Sequence, residues 1–220
     1  MKALILGCSH AAGAEICKDP VVVDRSTEFE RQHSFPALVA QQLGYVPMNC
    51  AISGGSNDAM FRIFIEQLPQ LTTSDIVIAC WTGISRTEVR HAVDSRWLQL
   101  IAGTEYHSTC NSLLVEYSNY TKNWTKFGYS DQSAYLNKLK NIQALNVLAQ
   151  QRSIRVINID SFWPTNYTDN IPWAHNNTFW DWAVSNNHYR TEYGHFFLAT
   201  HQAYADFVVN CLTTNTNTVQ

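Results

Sequence analysis

Short, largely apolar runs recur along this chain, and each is followed by a stretch of helical periodicity. Lys2-Ala-Leu-Ile-Leu6 is stopped by Gly7; Tyr45–Cys50 leads into Ser53-Gly54-Gly55-Ser56-Asn57; Asp75-Ile-Val-Ile-Ala-Cys-Trp81 and Ile154–Ile159 complete the set. Runs this short and without polar alternation are what parallel strands look like when helices cover both faces of their sheet.

The segments between the runs carry the helices. Ser34 precedes Phe35-Pro36-Ala37-Leu38-Val39-Ala40 and Gly44 closes that stretch, so start and stop signals agree. A second helix is expected from about Asp58 to Leu68, with Met60, Ile63, Phe64 and Leu68 on one face. Residues 134–151 put Leu136, Leu139, Ile142, Leu145 and Ala149 on an apolar stripe, and Phe196–Leu212 does the same with Phe197, His201, Tyr204, Val208 and Cys211. Strand and helix alternate four times, which predicts an α/β chain: a three-layer α/β/α sandwich on a central parallel sheet. Residues 1–220 read as one domain, with an insertion around 85–130 that fits no clean period and a polar, frayed tail from Thr213 to Gln220.

Composition narrows the function. The chain has 220 residues, 45% hydrophobic and only 15% charged, with a net charge of −3 and no Lys/Arg run. That balance argues for a folded globule and against a nucleic-acid partner. No window approaches a membrane span, and the N-terminal apolar run is too short for a signal peptide, so a soluble, cytoplasmic protein is expected. Six widely spaced cysteines without a CxxC pair suit a reduced compartment. The four Asn-x-Thr triplets, at Asn119, Asn123, Asn166 and Asn176, read as chance in such a chain. Neither a metal-ligand spacing nor a phosphate-cradling glycine motif occurs, so no cofactor and no metal are expected.

Ligands of open parallel sheets bind beyond the carboxyl ends of the strands. Gly7-Cys8-Ser9-His10 follows the first strand, and Asn49 with Ala51-Ile52-Ser53-Gly54-Gly55-Ser56-Asn57 follows the second. Trp81-Thr82-Gly83-Ile84-Ser85-Arg86 follows the third, and Glu192-Tyr193-Gly194-His195 precedes the last helix. A serine between strand and helix lies where backbone N–H groups and the helix dipole favour negative charge. Gly54 can take positive φ and let backbone approach a substrate. A neutral serine hydroxyl needs a base that titrates near neutrality, a role His195 suits, and a carboxylate at one-turn spacing, Glu192, can fix the imidazole tautomer.

Those four stretches, in this order, resemble the blocks of the SGNH (GDSL-like) hydrolase superfamily of lipases and esterases, across nearly the whole chain. The resemblance implies a flavodoxin-like architecture in which Ser9 is the nucleophile, His195 the base and Glu192 its orienting acid. It implies an oxyanion hole built from the N–H groups of Ser9 and Gly54. The implied activity is hydrolysis of a small acyl (acetyl-type) ester, with a small molecule or carbohydrate as the alcohol part. The general style also resembles SGNH-like proteins of bacteriophages, which would imply host cytoplasm or virion. The third block departs from the family's Gly-x-Asn-Asp: with no Asn available, Thr82, Ser85 or Arg86 substitutes for the missing donor, or the hole has fewer donors.

Each signal has a structural alternative. Ser9 could cap a helix, and Gly54-Gly55 could be an ordinary turn. Glu192 could be a first-turn helix acid, and His10, beside Ser9, lines the site at most. His201 is the rival base or a packed core histidine. Arg86 could bind an anionic substrate or pair with a carboxylate. The aromatic stretch Phe162–Trp182 could wall a site or pin a loop. Alternative functions on the same fold are a catalytically weakened binding or structural protein, and acyl transfer to a hydroxyl acceptor.

Overall fold

A computed structural model describes residues 1–215, apart from 20, 23, 25–26, 92–94, 104–111 and 163–172; the side chains of 112–116 and 215 are also left aside. Four parallel strands, β1 (Lys2–Leu6), β2 (Val46–Asn49), β3 (Ile76–Trp81) and β6 (Arg155–Asp160), form one sheet in the order β2-β1-β3-β6. The register pairs Leu4 with Met48 on one side and with Val77 on the other, and Val77 with Val156 beyond. The expected strands fall within a residue or two of these bounds.

The pleat of β1 sorts its side chains into two cores. Ala3 and Ile5 join Ile76, Ile78 and Cys80 on one face, while Leu4 and Leu6 join Val77, Ala79 and Trp81 on the other. The first face is covered by α3 (Phe35–Gln42), α7 (Phe179–Ser185) and α8 (Leu198–Asn215), through Phe35, Val39, Phe179, Tyr204 and Val208. The second is covered by α4 (Asn57–Gln67) and α6 (Asp131–Gln151), through Met60, Phe64, Ile142 and Leu145. The architecture is therefore the expected three-layer α/β/α.

Four α-helices, α7 among them, and a hairpin add to the sequence reading among the described residues. A single turn, α1 (Ser9–Ala12), follows β1, and α2 (Thr27–His33) precedes α3. Inside the region read as an insertion, β4 (Arg86–Arg90) and β5 (Trp97–Ile101) pair antiparallel, and α5 (Ser112–Phe127) leads to α6. The polar tail splits: α8 runs on to Asn215, and 216–220 lie outside the described residues. Among the described residues no helix is long and apolar enough to cross a membrane.

Strand order sets the location of a site. From β1 the chain moves to β2 on one side and then to β3 on the other, so a crevice opens beyond the carboxyl ends of β1 and β3.

Candidate active site

At that crevice the chain leaves β1 through Gly7. A Cβ there would lie 2.4 Å from the Cβ of Ala11 and 3.0 Å from that of Cys80, so glycine alone lets the turn run this close to β3. Ser9 then opens α1, where its backbone N–H has no partner within the helix. The helix lasts one turn and ends on Gly13 in the left-handed region, φ 76°. Glu15 repeats that conformation at φ 69°, uncommon for a residue with a side chain. Two left-handed residues so close together turn the chain sharply, and the Glu15 carboxylate meets the segment that precedes α8.

There it closes a small network. Glu15 Oε2 lies 3.0 Å from Nδ1 of His195 and accepts a hydrogen bond from the Thr191 hydroxyl; Oε1 accepts from Lys18 Nζ at 2.6 Å. Thr191 in turn grips His195, donating its N–H to the His195 carbonyl at 2.8 Å and accepting the His195 N–H on Oγ1 at 3.2 Å. Burial alone would raise the Glu15 pKa, but the hydrogen bonds from Lys18, Thr191 and His195 outweigh it and hold the carboxyl below its usual range. With Nδ1 committed to a carboxylate, Nε2 is the ring atom left to take up a proton.

Glu192, to which the one-turn spacing assigns this orienting role, is exposed and makes no hydrogen bond or ion pair to His195 among the described residues. The reason is local. Residues 192–194 form a turn with Gly194 at φ 85°, and α8 begins only at Leu198, so the helical i, i+3 geometry does not apply. In this geometry the acid on His195 is Glu15. No motif marked it; its only sequence signal is the glycine two residues earlier, which frees the chain to turn.

His10 lies between the two halves of the site. Its ring centroid is 5.0 Å from that of His195, 4.6 Å from Phe162 and 5.4 Å from Phe179. It is 1% exposed, and Nδ1 has no hydrogen-bond partner among the described residues. Burial, then the charges of His195, His201 and Arg86, push its pKa well below the usual histidine value, so it stays neutral. Ser9 and His195 are not hydrogen-bonded to each other among the described residues; such contacts are often long until a substrate is present. His201 is fully buried, accepts the Phe35 N–H on Nδ1 at 2.9 Å and is pushed down by burial to about 3. It is a packed core histidine that holds the start of α3.

Gly54 sits at φ 75° with nothing within 4 Å of where a Cβ would point, and so faces open space. Its neighbour Gly55 donates its N–H to the Ile52 carbonyl at 2.8 Å. Ser56 caps α4 by accepting from the Ala59 N–H, as its place before the helix leads one to expect. Asn57 reaches across to the third block: Oδ1 accepts the Thr82 N–H at 3.0 Å and Nδ2 donates to the Thr82 carbonyl at 3.2 Å. Thr82 is thus fully occupied along its backbone, and its hydroxyl is sealed from solvent without a partner among the described residues. The Ser85 carbonyl accepts from Ala102 N–H. Arg86 alone of the three reaches toward the Gly54-Gly55 turn, with Nη1 3.5 Å from the Gly55 carbonyl. Asn49 is structural, donating to the carbonyls of Ala11 and Arg31 and to Ser34 Oγ.

The aromatic stretch is split in its duties. Phe179 is core, Trp180 stacks near Phe162 at 5.9 Å and Arg190 lies 4.8 Å over the Trp180 ring; Trp163 and Tyr167 lie outside the described residues. No group of three or more His, Cys, Asp or Glu able to hold a metal ion occurs among the described residues.

No family model and no curated protein matches this sequence. Solved structures do match. The chain is similar to a putative lipolytic protein of the G-D-S-L family from Desulfitobacterium hafniense DCB-2, with TM-score 0.53 and 11% identity over 96% of this chain and 98% of the other. It is similar to the psychrotrophic esterase EstA from Pseudoalteromonas sp., with TM-score 0.52 and 15% identity over 98% of both chains. It is also similar to the acetyl xylan esterase Est2A from the rumen bacterium Butyrivibrio proteoclasticus, with TM-score 0.51 and 11% identity over 98% of this chain and 64% of the other. The fold is therefore that of the SGNH hydrolases. At these identities the likeness concerns the fold, and none of the three comes from a bacteriophage.

Proposed function

We propose that the protein is a serine esterase that cleaves a small acyl ester, acetyl-type in the simplest case, from a small-molecule or carbohydrate alcohol. Ser9 Oγ attacks the carbonyl carbon, and His195 Nε2 takes its proton and returns it to the leaving alkoxide. Water, activated by the same nitrogen, then releases the acyl group from Ser9. Glu15 holds the imidazole by Nδ1 and stabilises the imidazolium that forms. The N–H groups of Ser9 and Gly54 are the donors for the developing oxyanion.

One observation carries this reading: a carboxylate–histidine pair is tied by Thr191 beside the helix start that bears Ser9, at the switch point of the sheet. The esterase and lipolytic activities named for the structural neighbours support it. Ser9→Ala should abolish hydrolysis of 4-nitrophenyl acetate while the protein still melts cooperatively; retained turnover would refute the assignment.

A second reading is a binding or structural protein with weakened catalysis. The unformed Ser9–His195 hydrogen bond and the third block without Asn favour it. A fluorophosphonate probe separates the two, since it should label Ser9 of the folded protein only if that hydroxyl is activated. Acyl transfer would use the same residues, and product analysis with an added alcohol acceptor detects it.

A further inference from the structure

Arg86 is a cation without an anion among the described residues. It is half-buried at the start of β4, directly beyond β3, where the neighbouring carboxylates are already engaged. Glu88 accepts from Arg62 and Gln99, and Asp160 from Lys138. Asp58, whose partners Thr87 and Asn137 line the cleft described next, accepts from Thr87, Asn137 and Asn141. Among the described residues Arg86 has no carboxylate partner. Among those residues its guanidinium touches the Gly55 carbonyl, at 3.5 Å, and the face of Phe162, 5.2 Å from the ring centroid. Both are site residues: Gly55 follows Gly54, and Phe162 packs on His10.

Arg86 also borders a cleft of about 180 Å³, lined further by Ile84, Thr87, Trp124, Tyr129 and Asn137. This is smaller than the ~300–1,000 Å³ of pockets for drug-sized ligands, so it suits one ring-sized group. Its walls combine aromatic faces with hydroxyl and amide groups, a lining for a flat or ring-shaped polar molecule. A guanidinium that borders both such a cleft and the Gly54-Gly55 turn would meet a substrate on its alcohol side.

We infer that Arg86 and this cleft form the subsite for the alcohol part of the ester, and that this part is a ring-sized molecule carrying a carboxylate. The inference rests on the esterase reading and deepens it by naming the substrate class. An arginine is suited to the task because its planar fork engages both oxygens of a carboxylate.

A matched pair of acetyl esters tests this: 4-acetoxybenzoate, negative on the leaving group, and its neutral methyl ester. The ratio of their kcat/KM values, anionic over neutral, should fall about ten- to a hundredfold in Arg86→Met, the loss expected for one charge-assisted contact, with Arg86→Lys in between. The wild-type ratio should also fall as sodium chloride is raised, which tests the idea even where Arg86→Met does not fold. An unchanged ratio in Arg86→Met, a salt-independent ratio, or an equal fall for both esters would overturn the inference; the last would mean that Arg86 acts on the shared transition state. If no Ser9-dependent turnover occurs, the esterase reading fails on its own. Binding of 4-hydroxybenzoate followed by NMR then decides: Arg86-dependent binding upholds the subsite, and absent or Arg86-independent binding overturns it.

Discussion

At the scale of single residues, the site turns on which carboxylate holds His195. Glu15 does so with both oxygens occupied, whereas Glu192 faces solvent. Glu15→Gln keeps the shape but replaces an acceptor by an amide, so the imidazole loses both its tautomer guide and its counter-charge. Activity, measured as kcat for a short-chain ester, should fall about a thousandfold or more, the order seen when the acid of a Ser-His-acid site is removed. Glu192→Gln should stay within a fewfold of wild type; the reverse outcome would return the role to Glu192. A stability signature accompanies this. The folded Glu15 carboxyl lies below its ordinary 4.5, so the stability that its pairing contributes is complete above that value and is lost as pH falls through the folded value. The difference in urea midpoint between wild type and Glu15→Gln should therefore be constant near neutrality and shrink below about pH 4.5.

At the scale of elements, legibility follows how strongly burial patterns a segment. β3 is an unbroken apolar run and β1 is one after Lys2, because both faces of the sheet are covered, whereas β6 mixes Val156, Ile157 and Ile159 with Arg155, Asn158 and Asp160. The stripes of α4 and α8 read directly from the sequence; that of α6 does so only in part, since Leu136 is exposed while Lys138 and Asn141 are buried. Ser9, Gly54 and His195 stand at or near element boundaries, which is why the sequence marks them as candidates. α1 is not legible in this way. One turn has no period to detect, and its work is done by backbone conformation at Gly13 and Glu15 rather than by hydrophobic pattern. The β4–β5 hairpin hid for a related reason: most of its residues are half-buried or exposed, with Leu100 alone among them fully buried, so alternation is faint. The weight placed on α1 can be tested. A Cβ on Gly13 would lie 2.1 Å from the Glu30 carbonyl oxygen, and φ there is left-handed. Gly13→Ala must therefore push α1 off α2 and carry Glu15 with it. It should cost more than about 2 kcal/mol in urea unfolding and lower kcat even at temperatures where the variant stays folded.

At the scale of the whole molecule, one polar pair lies inside the layer that the two cores share with the site. Lys138, on α6, and Asp160, the last residue of β6, are 1% and 8% exposed and bonded at 3.0 and 3.2 Å. Burial pulls the Lys138 pKa down and Asp160 pulls it part of the way back, so the charged pair is held by its own attraction against a desolvation cost. Such a pair adds little over a well-packed apolar contact, yet removing half of it is expensive. Asp160 also precedes Ser161 and Phe162, and the Ser161 N–H donates to the Trp81 carbonyl at 2.8 Å. The ion pair thus ties the end of β6 to α6, at the edge of the crevice that holds Phe162 and His10. Lys138→Met leaves a buried carboxylate without its cation and should cost about 3–5 kcal/mol by urea denaturation. Lys138→Met combined with Asp160→Asn removes the stranded charge and should recover part of that loss. If the double variant is as unstable as the single one, Lys138 acts by packing its chain and not by its charge.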